Sequence, residues 1–179
     1  MIISMHDDYW KKFLPPSADG FAPWLRDHGS LTRRIQQRCT NFRVRNMCSH
    51  AAPAAYDEAM LLGQPPRQGI YTREVFLYAD GVPVVFAHSV VATRHLRGAW
   101  HALQSLGSRP LGALLFAHPL VERAPLRFKL LRPGHMLYRR AAAELKAPPG
   151  FLWARRSLFM LHGAPLLVTE VFLPDILKI

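Results

Sequence analysis

Two stretches of this chain set β-rich, largely apolar runs on either side of a tight-turn signal. Residues 70–91 read IYTREVFLYADGVPVVFAHSVV, with Asp80-Gly81 between two β-rich runs. Residues 151–174 read FLWARRSLFMLHGAPLLVTEVFLP, with His162-Gly163 at the turn. β-Rich runs on both sides of such a dipeptide predict a β-hairpin, because the tight turn needs residues that tolerate positive φ. A further strand is predicted over 41–50, NFRVRNMCSH, and an extended stretch over 120–131, LVERAPLRFKLL.

Helical signals are short. FAPWLRD (21–27) buries Trp24 and Leu25 on one side. SLTRRIQQRC (30–39) begins with Ser30, a good N-cap. LRGAWHALQSLG (96–107) and RPLGALLFAH (109–118) read as short helices or turns, and HMLYRRAAAEL (135–145) as helical from its alanines. Residues 1–20 form a lead-in in which Pro15 and Pro16 block helix continuation. Residues 51–69, rich in Ala and Pro, read as a long connection with one helical turn, the kind of segment that often serves as a lid. The expected architecture is α+β: after the lead-in, one domain over 21–179, a single antiparallel sheet with helices packed on one side.

Each hairpin carries a charge where a core strand should be apolar. Glu170 shares its face with Leu166, Val168 and Phe172; Arg73 shares its face with Tyr71, Val75 and Leu77. Burying an unpaired charge costs several kcal/mol, so each needs a partner or a polar cavity. Two-residue loops would pair Ala79 with Val82 and set Arg73 opposite His88; they would pair Leu161 with Ala164 and set Glu170 opposite Arg155. One such charge reads most simply as half of a buried ion pair. Two of opposite sign, each central in a strand, point to a pocket for a small ligand with a carboxylate at one end and a hydroxyl at the other. Arginine offers a planar fork to a carboxylate, and glutamate accepts from a hydroxyl or takes a proton.

The remaining composition narrows the choice. The net charge of +11 favours anionic partners, but the basic residues come as dispersed Arg pairs (33–34, 139–140, 155–156) and no nucleic-acid-binding motif accompanies them. Two cysteines, Cys39 and Cys48, make neither a disulfide framework nor a zinc site; they read as free thiols packed in a cytoplasmic protein. The histidines are scattered, so no metal site is expected, and Trp24, Trp100 and Trp153 read as core. No apolar run is long enough to span a membrane, and the first residues do not read as a secretory signal.

The segments YTREVFLYADGVPVVFAHSVV, LQSLGSRPLGALLF, LWARRSLF and GAPLLVTEVFLP, over about 70–118 and 151–174, resemble the chorismate pyruvate-lyase (chorismate lyase) family of ubiquinone biosynthesis. WLRDHGSLTRRIQ adds a weaker match near the N-terminus. The resemblance implies a cofactor-independent lyase that converts chorismate to 4-hydroxybenzoate and pyruvate beneath flaps that cover the ligand. It carries the family's carboxylate-binding arginine onto Arg73 and its acidic residue near the ring hydroxyl onto Glu170. Pocket-wall positions fall on Leu111 and, where the family commonly has Met, on Leu31. Arg155 and His88 are secondary candidates, His88 standing where Arg is expected. Residues 121–150 look longer than in compact members and read as an elaborated flap or a surface excursion. A monomer is the expected state. The competing reading is a non-catalytic binder of aromatic acids, since the same fold serves as a sensing domain in bacterial regulators.

Overall fold

The computed structural model describes residues 10–53, 56–65 and 68–179. Among the described residues seven strands form one antiparallel sheet: β1 (Phe42–Pro53), β2 (Gly69–Ala79), β3 (Val82–Ala92), β4 (Glu122–Arg123), β5 (Arg127–Leu131), β6 (Leu152–Leu161) and β7 (Ala164–Phe172). They lie in the order β1-β2-β3-β7-β6-β4, with β5 also paired to β6. The two expected hairpins are therefore β2–β3 and β6–β7, and they meet at β3 and β7 in the centre. Both turns have positive φ at each central residue: 48° at Asp80, 84° at Gly81, 50° at His162 and 74° at Gly163. That backbone matches the right-handed twist of the flanking strands.

The β6–β7 register is the one expected, from Leu161 opposite Ala164 to Arg155 opposite Glu170. The β2–β3 register is not. Ala79 pairs with Val82 and Tyr78 with Pro83, but Leu77 then pairs with Val85. Val84 is an extra residue, a β-bulge beside a proline that has no N–H to give the ladder. Its carbonyl instead accepts from Leu173 N at 3.0 Å. The slip moves every later pair by one, so Arg73 lies opposite Ser89, and His88 lies opposite Glu74. His88 thus sits on the other face of the sheet from Arg73, contrary to the two-residue count.

Both faces of the sheet are covered. One face packs Val75, Leu77, Val85, Trp153 and Phe172 against Trp24 and Leu25 of α1 (Ala22–Leu25) and Leu31 and Ile35 of α2 (Leu31–Gln36). Further along the same face, Val91, Leu166 and Val168 pack against Trp100 and against Leu111 and Leu115 of α4 (Leu111–Ala117). On the opposite face, Phe76, Phe86, Ala154 and Val171 pack against Leu137, Tyr138 and Ala141 of α5 (Met136–Ala142). Leu62, just after α3 (Tyr56–Leu61), joins Ile70, Val90 and Leu167 there. The helices are thus divided between two faces rather than gathered on one. The central strands are apolar on both sides, and each side needs cover.

Residues 121–150 are neither flap nor surface excursion. They supply β4 and β5 at the β6 edge and α5 over the second face. Of the lead-in, residues 1–9 lie outside the described residues. Lys11 and Phe128 exchange backbone hydrogen bonds of 2.8 and 2.9 Å, and Ala18 is buried. Among the described residues no helix is long and apolar enough to cross a membrane.

Candidate active site

A cavity of about 590 Å³, its mouth included, opens on the face beneath α2 and α4. Its floor is sheet. Val75, Ala87, Glu170 and Arg155 form one transverse row across β2, β3, β7 and β6, and Arg73, Ser89, Val168 and Ser157 form the next. The β3 residues in these rows, Ala87 and Ser89, are small, which leaves room above the sheet between Arg73 and Glu170. The Cα atoms of those two are two strand spacings apart, ~10 Å, and two residues apart along the strands, ~7 Å. The roof is the start of two short helices. Leu31 opens α2 and Leu111 opens α4, and both line the cavity. Gly112 lets the helices approach closely: a Cβ there would lie 3.0 Å from Ser30 Oγ and 3.3 Å from Thr32 Oγ1. Ser30 Oγ itself caps α2 by accepting from Arg33 N.

Arg73 is 2% exposed and lacks a carboxylate partner among the described residues. Its Nη2 donates to the carbonyls of Gly107 (2.8 Å) and Arg109 (2.9 Å), which fixes the guanidinium beside the loop before α4. Its Nε is buried with no acceptor. Burial pushes its pKa below the ordinary arginine value, Tyr71 acting weakly the other way; the group stays charged. A buried cation with an unused donor is costly, and an anionic ligand would remove that cost.

Glu170 is held from one side only. Its Oε2 accepts from Arg155 Nε at 2.5 Å, while Oε1 has no hydrogen-bond partner among the described residues. Arg155 is 1% exposed. Its Nη1 donates to the carbonyls of Trp24 (3.0 Å) and Asp27 (2.5 Å), at and just beyond the C-terminal end of α1. Arg155 thereby ties helix, strand and carboxylate together, and its Nη2 is left buried without an acceptor. A third arginine, Arg123 on β4, also lines the cavity. The cavity wall therefore carries three arginines and one carboxylate. Arg73 Nε and Arg155 Nη2 are buried donors without an acceptor, and Glu170 Oε1 has no hydrogen-bond partner, among the described residues.

The structure brings Arg73, Glu170, Leu31, Leu111 and Arg155 to this cavity, as the sequence suggested. It does not bring His88. On the opposite face His88 Nδ1 lies 2.8 Å from Glu74 Oε1, and Nε2 lies 2.9 Å from Glu58 Oε1. Arg140 Nη1 and Cys48 Sγ both donate to Glu74 Oε2. Burial works against a charge on His88, but the two carboxylates outweigh it and raise the imidazole to about 9. Burial likewise opposes charge on Glu74, and His88, Arg140 and Cys48 bring it down to about 2. His88 is thus a cation, but one that neutralises buried carboxylates rather than a ligand.

The family model for chorismate lyase matches residues 10–178. The chain belongs to the chorismate lyase family. A relative from Nitrosospira multiformis, named "Probable chorismate pyruvate-lyase", is 50% identical over 167 residues, covering 93% of this chain and 91% of its own. One of the same name from Aromatoleum aromaticum is 49% identical over 183 residues, covering 100% and 99%. Among solved structures, the PhnF C-terminal domain superposes with a TM-score of 0.58 at 18% identity, covering 74% of this chain and 82% of its own. A GntR-family regulator from Bacillus cereus gives 0.56 at 12% identity, covering 76% and 94%. These distant likenesses establish a shared fold and no more.

Three residues that line the cavity were not singled out from the sequence. Arg123 sits in a two-residue strand with no pattern to mark it. Ser89 was hidden by the register slip at Val84. Gly112 matters only through the crossing of α2 and α4, which no local signal reveals.

Proposed function

We propose that this protein is a chorismate lyase, converting chorismate to 4-hydroxybenzoate and pyruvate as the supply step for ubiquinone assembly. The observation that carries the reading is the cavity itself: Arg73 with an unused donor, facing across two small β3 residues a Glu170 with an unused oxygen. The family relatives of about half-identical sequence bear the matching name. The regulators share only the fold, and nothing in the cavity favours a non-catalytic sensor over the enzyme.

In this reading the ring carboxylate of chorismate docks on Arg73, and the C4 hydroxyl donates to Glu170 Oε1. The bond from C3 to the enolpyruvyl ether oxygen breaks, and hydrogen leaves C4. The ring becomes aromatic as 4-hydroxybenzoate, and hydrogen gained at the enolpyruvyl methylene gives pyruvate. Aromatisation drives the reaction. The protein's task is to hold the reactive conformer and to stabilise negative charge growing on the departing oxygen. Glu170 is the best-placed base if the hydrogen does not pass directly to the methylene. Arg155 fixes the carboxylate's direction, and Leu31 and Leu111 grip the ring and exclude water. The excess of positive charge draws in a dianion. A cytoplasmic monomer is part of this reading.

The test is direct. Purified protein is incubated with chorismate, without added metal or cofactor, and products are followed by chromatography. Equimolar 4-hydroxybenzoate and pyruvate above the spontaneous background support the enzyme. A thermal shift with 4-hydroxybenzoate but no turnover would point to a binder instead.

A further inference from the structure

Arg73 stands at one end of a row of the sheet, and Arg123, paired on β4 with Phe159 of the next row, reaches the other end through its side chain. The row runs Arg73, Ser89, Val168, Ser157, and Arg123 Nε donates to Ser157 Oγ at 3.1 Å. The span from Arg73 to Ser157 is three strand spacings, ~14 Å, with both guanidinium groups on the cavity face. Arg123 is fixed on several sides. Ser157 Oγ passes its own proton on to Ala124 O at 2.8 Å, and Arg123 Nη1 donates to His28 O at 2.8 Å. The guanidinium lies 5.6 and 5.2 Å from the ring centres of Phe116 and Phe159, both of which also line the cavity. Its Nη2 makes no hydrogen bond among the described residues, and it is not a buried orphan either. Burial pushes its pKa down, while Glu170 acts in the opposite direction, which puts the two groups within electrostatic reach.

This placement answers a charge count. Arg155 is committed to Glu170 and to the end of α1. Arg73 and Arg123 remain, one at the far end of the cavity and one at the Glu170 end. A ligand with a single carboxylate would satisfy only one of them. In chorismate the two carboxylates are separated by the ring, and the enolpyruvyl arm leaves the carbon next to the one bearing the hydroxyl. With the hydroxyl on Glu170, that arm extends towards Arg123.

We infer that Arg123 is a specificity-determining residue that binds the enolpyruvyl carboxylate, and so distinguishes the dianionic substrate from the monoanionic aromatic product. The inference rests on the lyase reading above. It also gives Arg123 a catalytic consequence: a cation beside the arm stabilises the enolate as the ether bond breaks.

The experiment compares wild type, Arg123→Met and Ser157→Ala, the last removing the anchor of Nε together with the Ser157 bond to Ala124 O. Each is assayed for kcat/KM on chorismate and, by calorimetry, for affinity towards 4-hydroxybenzoate. Arg123→Met is expected to lower kcat/KM by about 10- to 100-fold, the worth of a hydrogen bond to a charged group. Its affinity for 4-hydroxybenzoate should stay within about twofold of wild type, which also shows that the variant is folded. Ser157→Ala should show a smaller loss in the same sense. Parallel loss of both ligands would make Arg123 a scaffold residue and overturn the inference, as would an unchanged kcat/KM. If Arg123→Met fails to fold, the same split is read from Ser157→Ala. If wild type does not consume chorismate, the lyase reading falls. The affinity of each protein for chorismate itself then decides the role of Arg123 by the same selective-loss criterion.

Discussion

Arg73 and Glu74 are neighbours in the chain and belong to two separate charge systems. Arg73 faces the cavity, where its Nε has no acceptor. Glu74 faces the other way, into a buried cluster with His88, Arg140 and Cys48. The alternation of a strand puts a group available to a ligand and a group fully engaged by the protein one residue apart.

Arg73→Ala should weaken substrate binding by about two orders of magnitude or more, the usual effect of truncating one side of a buried charge pair. The protein should stay folded, because the hydrogen bonds lost in the free protein are the two to the Gly107 and Arg109 carbonyls. Lysine should not rescue, since a point charge cannot replace the fork that both braces the loop and meets a carboxylate. KM and product affinity, measured together, check this; unchanged values for both would remove Arg73 from the site.

Glu170→Gln keeps the side chain's shape and still offers Arg155 an oxygen. Turnover should nevertheless fall by roughly 100-fold or more if the carboxylate accepts a proton or holds the hydroxyl in the transition state. Were Glu170 only the anchor of Arg155, kcat would hold and the melting temperature alone would drop. Steady-state kinetics beside a thermal melt separate the two.

The His88 cluster predicts a signed dependence of stability on pH. The folded value of about 9 exceeds the ordinary 6.5, so its contribution is complete below about pH 6.5 and disappears as pH rises towards 9. The folded value of Glu74, about 2 against 4.5, adds a contribution present above pH 4.5 and lost as pH falls below it. Between pH 6.5 and 9 unfolding free energy should decline, by on the order of 3 kcal/mol. His88→Gln should flatten that decline. It should also cost roughly 3 to 5 kcal/mol near neutrality, because two buried carboxylates lose their shared cation. Denaturant titrations at several pH values would show both effects; an unaltered slope in the variant would mean that other groups govern this window.

Gly112→Ala should force α2 and α4 apart. The new Cβ would meet Ser30 Oγ at 3.0 Å, and that hydroxyl cannot retreat freely because it caps α2. A destabilisation of about 1 to 3 kcal/mol is expected for such overpacking. The roof of the cavity should loosen with it, raising KM and speeding product release. Chemical denaturation and product dissociation rates measure these separately.

Much of this protein follows from local pattern alone. The two hairpins are written in β-rich runs and in Asp80-Gly81 and His162-Gly163, because tight turns and strand propensity depend on residues adjacent in sequence. The pairing of Glu170 with Arg155 follows by counting from the second turn. Ser30 announces α2, and the apolar strands announce a core. The tertiary structure decided the rest. One bulge at Val84, set beside Pro83, moved His88 to the far side of the sheet and put Ser89 next to Arg73. A bulge is a compromise between ladder geometry and neighbouring strands, and a period-2 count cannot contain it. The cover of the second face by α3 and α5, the Gly112 crossing and the placing of Arg123 on Ser157 all depend on contacts between distant segments. The sequence by itself determined the four hairpin strands and which of their residues carry charge. Only packing decided which of those charges share a cavity, because that depends on register and on what lies above each face.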